Sequence, residues 1–183
     1  DLINIPRAGI VHRLDKDTTG LMVVAKTLQA QTHLVAQLQD RSMGREYEAV
    51  VQGHMVAGGT VDEPIGRHGT QRTKMAVSPM GKEAVTHYRV LHKFPSHTYI
   101  RCKLETGRTH QIRVHLRSLG YPILGDVVYG YRALPHLPAV PSRVMLHSAH
   151  LAFEHPITGE SLDLHAPLPE VFEPFVDASL RLE

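Results

Sequence analysis

The chain has 183 residues, 42% of them hydrophobic and 21% charged, with 20 Lys+Arg against 18 Asp+Glu and a single cysteine. That length buries a core without disulfide or metal staples, and the balance excludes disordered and collagen-like chains. Cys102 alone rules out a disulfide framework and fits a reducing, cytoplasmic setting, and no apolar run approaches the ~18 residues of a membrane span.

In chain order, Gly9–Asp17 leads into a turn-rich Asp15-Lys16-Asp17-Thr18-Thr19-Gly20, and Leu21–Lys26 follows as an apolar run of strand length, the kind buried on both faces. Thr27–Arg41 reads as a helix with Leu28, Leu34, Val35 and Leu38 on one side. Glu46–Val51 is a β pattern, turned at Gly58-Gly59. Ile65–Lys82, with Gly66, Gly69, Pro79 and Gly81 and no clear period, reads as a long basic loop. Ala84–Lys93 and His97–Glu105 form a hairpin around Pro95, and the period-two alternation of the second strand places Cys102 on its buried face, a structural thiol. Thr109–Leu119 is a helix stopped by Gly120, with Ile112, Leu116 and Leu119 on one face and His110, Arg113 and Arg117 on the other. Arg132–Val144 is loop, Val144–Phe153 and Glu160–Leu164 are strands around a His155–Gly159 turn, and Pro169–Leu180 closes the chain as a helix. Strands outnumber helices and most connections are hairpin-like, so the fold class is α+β with a mainly antiparallel sheet.

The charge is unevenly placed. From Glu154 onward stand seven carboxylates and one cation, Arg181, which leaves the first 153 residues with 19 cations against 11 carboxylates. Ile65–Lys82 holds Arg67, Arg72, Lys74 and Lys82 with no carboxylate, and Arg101–Leu119 holds five cations against Glu105 alone. Two such stretches fit a polyanion partner as well as a solvated face.

Three segments crowd polar residues where packing does not need them. In His12-Arg13-Leu14-Asp15-Lys16-Asp17-Thr18-Thr19-Gly20, a carboxylate flanked by cations at the mouth of a strand could serve as nucleophile or base; taken alone, an Asx turn into the strand explains it too. Gly107–His115 offers Arg forks suited to carboxylate or phosphate, or simply an exposed basic helix face. In Arg45-Glu46-Tyr47-Glu48-Ala49, Tyr47 and Ala49 share a face, where Tyr could stack on a base or merely pack. No dinucleotide or phosphate-loop signature is present, so no nucleotide cofactor is expected. Fourteen histidines lack zinc-site spacing: His110 and His115 are five apart, and His147, His150 and His155 lie on strand-like sequence, so no metal is expected. A nucleophile elbow is also missing.

The His12–Gly20 segment, Arg45–Ala49 and Gly107–Leu116, in that order, resemble the pseudouridine synthases of large-subunit ribosomal RNA, the RluA-type family. Gly125-Asp126-x-x-Tyr129-Gly130, Leu146-His147-Ser148 and His155-Pro156-x-x-Gly159 extend the likeness over nearly the whole chain, and Ile5–Thr27 with Asp62–Lys82 looks most like the RluD branch. The resemblance implies the family's catalytic fold over residues 1–183, shortened at its start and without an upstream RNA-binding domain. It implies Asp15 as the catalytic aspartate, attacking the anomeric carbon or the uracil ring, and Arg113 as its orienting ion-pair partner. Tyr47 would pack against the flipped uracil and assist proton removal, and Arg13 would fill the space the uridine leaves. Arg67, Arg72, Lys74, Arg108 and Arg117 are assigned to the RNA backbone. The substrate implied is a ribosomal RNA hairpin loop, the cofactor none, since the glycosidic bond is exchanged within one molecule, and the working state a monomer. Two other readings use the same residues: a non-catalytic RNA-binding or ribosome-assembly module, and a nucleosidase-like hydrolase with Asp17 as second carboxylate.

Overall fold

Alternating apolar positions through the middle of the chain build one large sheet, in a computed structural model that describes residues 4–183. In chain order the elements are β1 (Thr19–Gly20), α1 (Leu28–Gln39), β2 (Gly44–Gln52), β3 (Gly59–Asp62), β4 (Ile65–Arg67), β5 (Met75–Val77), β6 (Val85–Lys93), β7 (His97–Leu104), α2 (Gln111–Ser118), β8 (Leu146–Glu154), β9 (Ser161–His165) and α3 (Glu173–Val176). Seven strands pair in the order β1-β8-β2-β7-β6-β3, with β9 also on β8. Only β1 runs parallel to its neighbour; every other pairing in this sheet is antiparallel, the α+β class expected.

Helices cover the face of β2 on which Arg45, Tyr47 and Ala49 stand. Thr27 caps α1 by accepting from the Ala30 N–H at 3.0 Å, and Leu34 packs with Leu151 and Phe153. Ile112 and Leu116 of α2 enter the main core with Tyr47, Ala49, Ile100 and Cys102, and Phe172 and Phe175 close it. A bulge in β8 sets Glu46 opposite His150 but Tyr47 opposite Ser148, so Tyr47 and Ser148 share the covered face. Desolvation pushes the buried Cys102 thiol up to about 12, as befits a structural residue.

Four sequence expectations need correction. Leu21–Lys26 is not a strand buried on both faces: only Thr19–Gly20 joins the sheet, and Met22 and Val24 are 40% and 43% exposed while Leu21, Val23 and Ala25 face the α1 cluster. An unbroken apolar run hides which side meets water. Ile65–Lys82 is not one loop, because β4 and β5 pair as a small hairpin whose Ile65 packs with Ala84, Val114 and Tyr129. Its strands of three residues are too short to show a period among the glycines. The helix expected from Thr109 begins at Gln111, since His110 is left-handed at φ 56°; Gly120, at φ +86°, ends it as expected. The closing helix is broken into a 3-10 turn at Glu170–Phe172, the single turn of α3 and another 3-10 turn at Ala178–Leu180, interrupted by the extended backbone at Asp177.

Candidate active site

A cleft of about 710 Å3 opens on the covered side of the sheet. Val35 and Leu38 of α1 form one wall, the Gly107–Ile112 approach to α2 the other, and Arg45, Tyr47, Leu104 and Leu146 the floor. Asp15 enters from the turn before β1.

That turn is held from behind. The Thr18 N–H donates to the Asp15 carbonyl at 3.0 Å, with Asp17 left-handed at φ 67°. Arg143 donates from Nη1 to the Asp17 carbonyl at 2.6 Å and from Nη2 to Thr19 Oγ1 at 2.9 Å. The Thr19 hydroxyl in turn donates to His147 Nδ1 at 2.8 Å, and His147 Nε2 donates to the Ala166 carbonyl at 3.0 Å. Gly20 sits at φ +108° against β8, where a Cβ would strike the Ser148 carbonyl, so the approach requires glycine. The result is a fixed turn carrying the Asp15 carboxylate, its side chain 22% exposed.

Facing it is Arg113, which is buried rather than lying on the solvated helix face that the sequence also allowed. Its Nη1 stands 3.7 Å from Asp15 Oδ2. Its other edge is spent on the buried Asp126, Nε to Oδ2 at 2.8 Å and Nη2 to Oδ1 at 2.9 Å, a bidentate fork that fixes the plane of the guanidinium. Burial alone would lower the pKa of Arg113, but the hydrogen bonds and charge of Asp126, joined by Asp15, outweigh it and leave it raised. The Tyr129 ring packs on the guanidinium carbon at 4.9 Å. The Tyr129 hydroxyl accepts from the Met75 N–H at 3.0 Å and donates to His110 Nδ1 at 2.6 Å, which ties the β4–β5 hairpin and the left-handed His110 to the same cluster. Burial lowers the pKa of His110 despite the nearby Asp15, so it is a neutral acceptor.

Tyr47 is buried, and desolvation, with a smaller push from Asp15, raises its pKa against the pull of Arg45 and a hydrogen bond with Ser148. It is a phenol at neutral pH. Arg45 is only 6% exposed and its Nε has no hydrogen-bond partner among the described residues. Burial lowers its pKa accordingly. Gly107 makes room for it, since a Cβ there would strike the guanidinium. Behind Arg45, the half-buried His12 accepts from the Val23 N–H at 3.0 Å, and burial with the nearby Arg45 charge brings its pKa down to about 4.

The structure thus brings Asp15 and Tyr47 into one cleft, which Arg13 and Arg108 also line, with Arg113 buried 3.7 Å from Asp15. Arg108 also donates from Nε to the Glu83 carbonyl at 2.6 Å. Lys74 lies over the Tyr129 ring at 5.6 Å, beside the cluster. Arg67 and Arg72 are apart from the cleft, in the exposed loop end of the β4–β5 hairpin, where Arg67 Nη1 donates to the Arg72 carbonyl at 2.8 Å. Arg117 is exposed on the last turn of α2. Sequence reasoning gave no role to Arg45, His110, Asp126, Tyr129 or Arg143. Arg45 and His110 stood in the segments Arg45–Ala49 and Gly107–His115, and Asp126 and Tyr129 in the Gly125–Gly130 motif, whereas nothing in sequence marked Arg143.

Among solved structures, the chain is similar to Human RNA Pseudouridylate Synthase Domain Containing 1, with a TM-score of 0.75 and 29% identity over 93% of this chain and 72% of that one. Human RNA Pseudouridylate Synthase Domain Containing 4 gives 0.73 and 29% over 90% and 73%. The fold is that of a pseudouridylate synthase domain. The profile described as RNA pseudouridylate synthase matches residues 4–118, and the chain belongs to that family. Among its relatives are proteins named Ribosomal large subunit pseudouridine synthase D: 60% identical in Vibrio parahaemolyticus, covering 93% of this chain and 55% of the relative, and 58% in Escherichia coli K12, covering 92% and 55%. The one from Pseudomonas aeruginosa is 58% identical over 94% of this chain and 57% of its own length. The likeness to the RluD branch is therefore upheld, and the chain spans a little over half the length of these relatives. Among the described residues, no helix is long and apolar enough to cross a membrane.

Proposed function

We propose that this chain is a catalytic domain that isomerises uridine to pseudouridine in a hairpin loop of large-subunit ribosomal RNA, with Asp15 as nucleophile. The observation that carries the reading is the buried Asp126–Arg113 pair set behind the partly exposed Asp15 at the end of a basic cleft, 3.7 Å separating Arg113 from Asp15. A carboxylate on a fixed turn, beside an arginine that is itself locked on its far side, suits nucleophilic work better than structural pairing, because the direct hydrogen bonds of Arg113 go to Asp126.

A uridine stacked in a loop cannot reach a carboxylate in a cleft, so it must flip, at a cost of a few kcal/mol. Arg13 would occupy the space it leaves. Arg67, Arg72, Lys74, Arg108 and Arg117 would offset the cost through phosphate contacts. Asp15 then attacks the anomeric carbon or the uracil ring; the N1–C1′ bond breaks, the base turns, and a C5–C1′ bond forms. The C5 proton leaves and N1 ends protonated, so the product is an isomer of the substrate and no electron acceptor is required. Tyr47 walls the uracil, and because burial keeps it a neutral phenol it assists loss of the C5 proton as a relay, passing its own hydroxyl proton on to water as the C5 proton arrives. Arg45, buried with an unused Nε–H, is assigned to the flipped nucleotide, as donor to a phosphate or a uracil carbonyl oxygen. We read the working protein as a cytoplasmic monomer.

The test is to incubate the chain with a ribosomal RNA hairpin transcript and analyse the digested nucleosides. Pseudouridine at a defined position is the expected product. Free uracil would mean a hydrolase, and salt-sensitive binding without product would mean an RNA-binding module; either would refute the proposal.

A further inference from the structure

The sheet face opposite the cleft carries a second cluster with metal-ligand chemistry. Strand register sets His150 of β8 directly opposite His165 of β9, and Asp163, two residues before His165, projects on the same side. The imidazoles stack at 4.3 Å with 18° between their planes. A single carboxylate oxygen, Asp163 Oδ1, lies 2.7 Å from His150 Nε2 and 2.7 Å from His165 Nε2. The ligand atoms of the three residues all lie within 4.8 Å of one another. On its other side, His150 Nδ1 is 2.7 Å from Glu46 Oε2, and Arg101 Nη2 is 3.4 Å from that same oxygen.

The geometry makes this more than a surface hydrogen-bond cluster. Both imidazole Nε2 atoms converge on the one oxygen Asp163 Oδ1, so a divalent cation there would meet all three ligands, while the second ring nitrogen of His150 stays engaged with Glu46. With the cation, the Nδ1–H still donates to Glu46, the carboxylate–histidine–metal arrangement that orients ligands in zinc sites. Two imidazoles, one carboxylate and an open solvent side match Zn2+ completed by water rather than an oxygen-seeking ion such as Mg2+.

We propose that His150, Asp163 and His165, backed by Glu46, form a surface site for one divalent transition-metal ion of the Zn2+ class, clasping β9 to β8. The expectation of no metal followed spacing along the chain; here the third ligand arrives by strand pairing, which spacing does not show.

The test is calorimetric titration of the full chain with ZnCl2, with visible absorption of the Co2+-loaded protein as a second readout. Asp163 and His165 side chains are each 65% exposed, so Asp163→Ala and His165→Ala leave the fold intact. One Zn2+ per chain is expected, with binding at least tenfold weaker in each ligand variant and weakened roughly tenfold in Glu46→Gln. The Co2+ spectrum should be tetrahedral in the parent and lost in Asp163→Ala and His165→Ala, Zn2+ should raise the melting temperature of the parent more than that of these two variants, and excess Mg2+ should not compete. Zn2+ binding unchanged in Asp163→Ala and His165→Ala, or no binding at roughly millimolar Zn2+, would overturn the site.

Discussion

Buried charge is the feature from which the single residues of the cleft are best understood. Asp126 is 1% exposed and carries the fork that aims Arg113. Asp126→Asn should therefore destabilise the fold by about 3 kcal/mol, the cost of breaking a buried pair, and lower turnover about a hundredfold because Arg113 is no longer aimed. Denaturant melts and single-turnover rates check the two halves separately. Arg45 makes the opposite prediction, since its buried charge has no carboxylate partner among the described residues. Arg45→Met should keep or raise stability while cutting turnover of RNA by about a hundredfold; unchanged turnover would remove Arg45 from the site. His12 adds a pH dependence. Its folded pKa of about 4 lies below the reference 6.5, so the unfolded chain takes up the proton first. Stability present above pH 6.5 is then lost as pH falls toward 4, by up to about 3 kcal/mol at 1.36 kcal/mol per unit. Unfolding free energies between pH 7 and pH 4.5 should fall more steeply in the parent than in His12→Gln, whose side chain keeps an acceptor for the Val23 N–H at any of these pH values.

Whole elements divide by how their period survives in the sequence. The β6–β7 hairpin, α1 and the Tyr47 strand were legible because eight or more residues repeat a pattern, and the side of the sheet assigned to Cys102 followed from alternation alone. The β4–β5 hairpin was not legible: three-residue strands show no period, and its anchors, Ile65 on Val114 and the Met75 N–H on Tyr129, are tertiary. Because that hairpin is pinned beside Arg113, its exposed Arg67 and Arg72 sit on a firm platform. Arg67→Ala with Arg72→Ala should weaken RNA binding evenly across sequences and flatten the salt dependence by about 0.7 to 0.9 in slope per lost phosphate contact. Equal slopes for parent and variant would show that the hairpin does not meet RNA. At β1 the requirement is steric. Gly20→Ala should cost about 3 kcal/mol, read from denaturant midpoints, because φ +108° and the Ser148 carbonyl leave no place for a Cβ.

For the molecule as a whole, the sheet joins residues that lie about a hundred positions apart in the chain. Asp15, Tyr47 and Arg113 were each ambiguous as isolated signals, and only their joint order, through the family resemblance, singled them out. Their convergence around Asp15 was beyond sequence patterning, as was the support of the Asp15 turn by Arg143, more than 120 residues away. The His150–Asp163–His165 cluster was missed for a nearer reason, since its ligands meet through the register of the adjacent strands β8 and β9 rather than by spacing along one element. The central claim is that Asp15 breaks and remakes the glycosidic bond. The measurement that tests it most directly is release of tritium from C5 of uridine in a ribosomal RNA hairpin, run on the parent chain and on Asp15→Asn with RNA binding followed in parallel. The account predicts tritium release to water by the parent, none by Asp15→Asn, and similar RNA affinity for both. Release by Asp15→Asn at the parent's rate would contradict it.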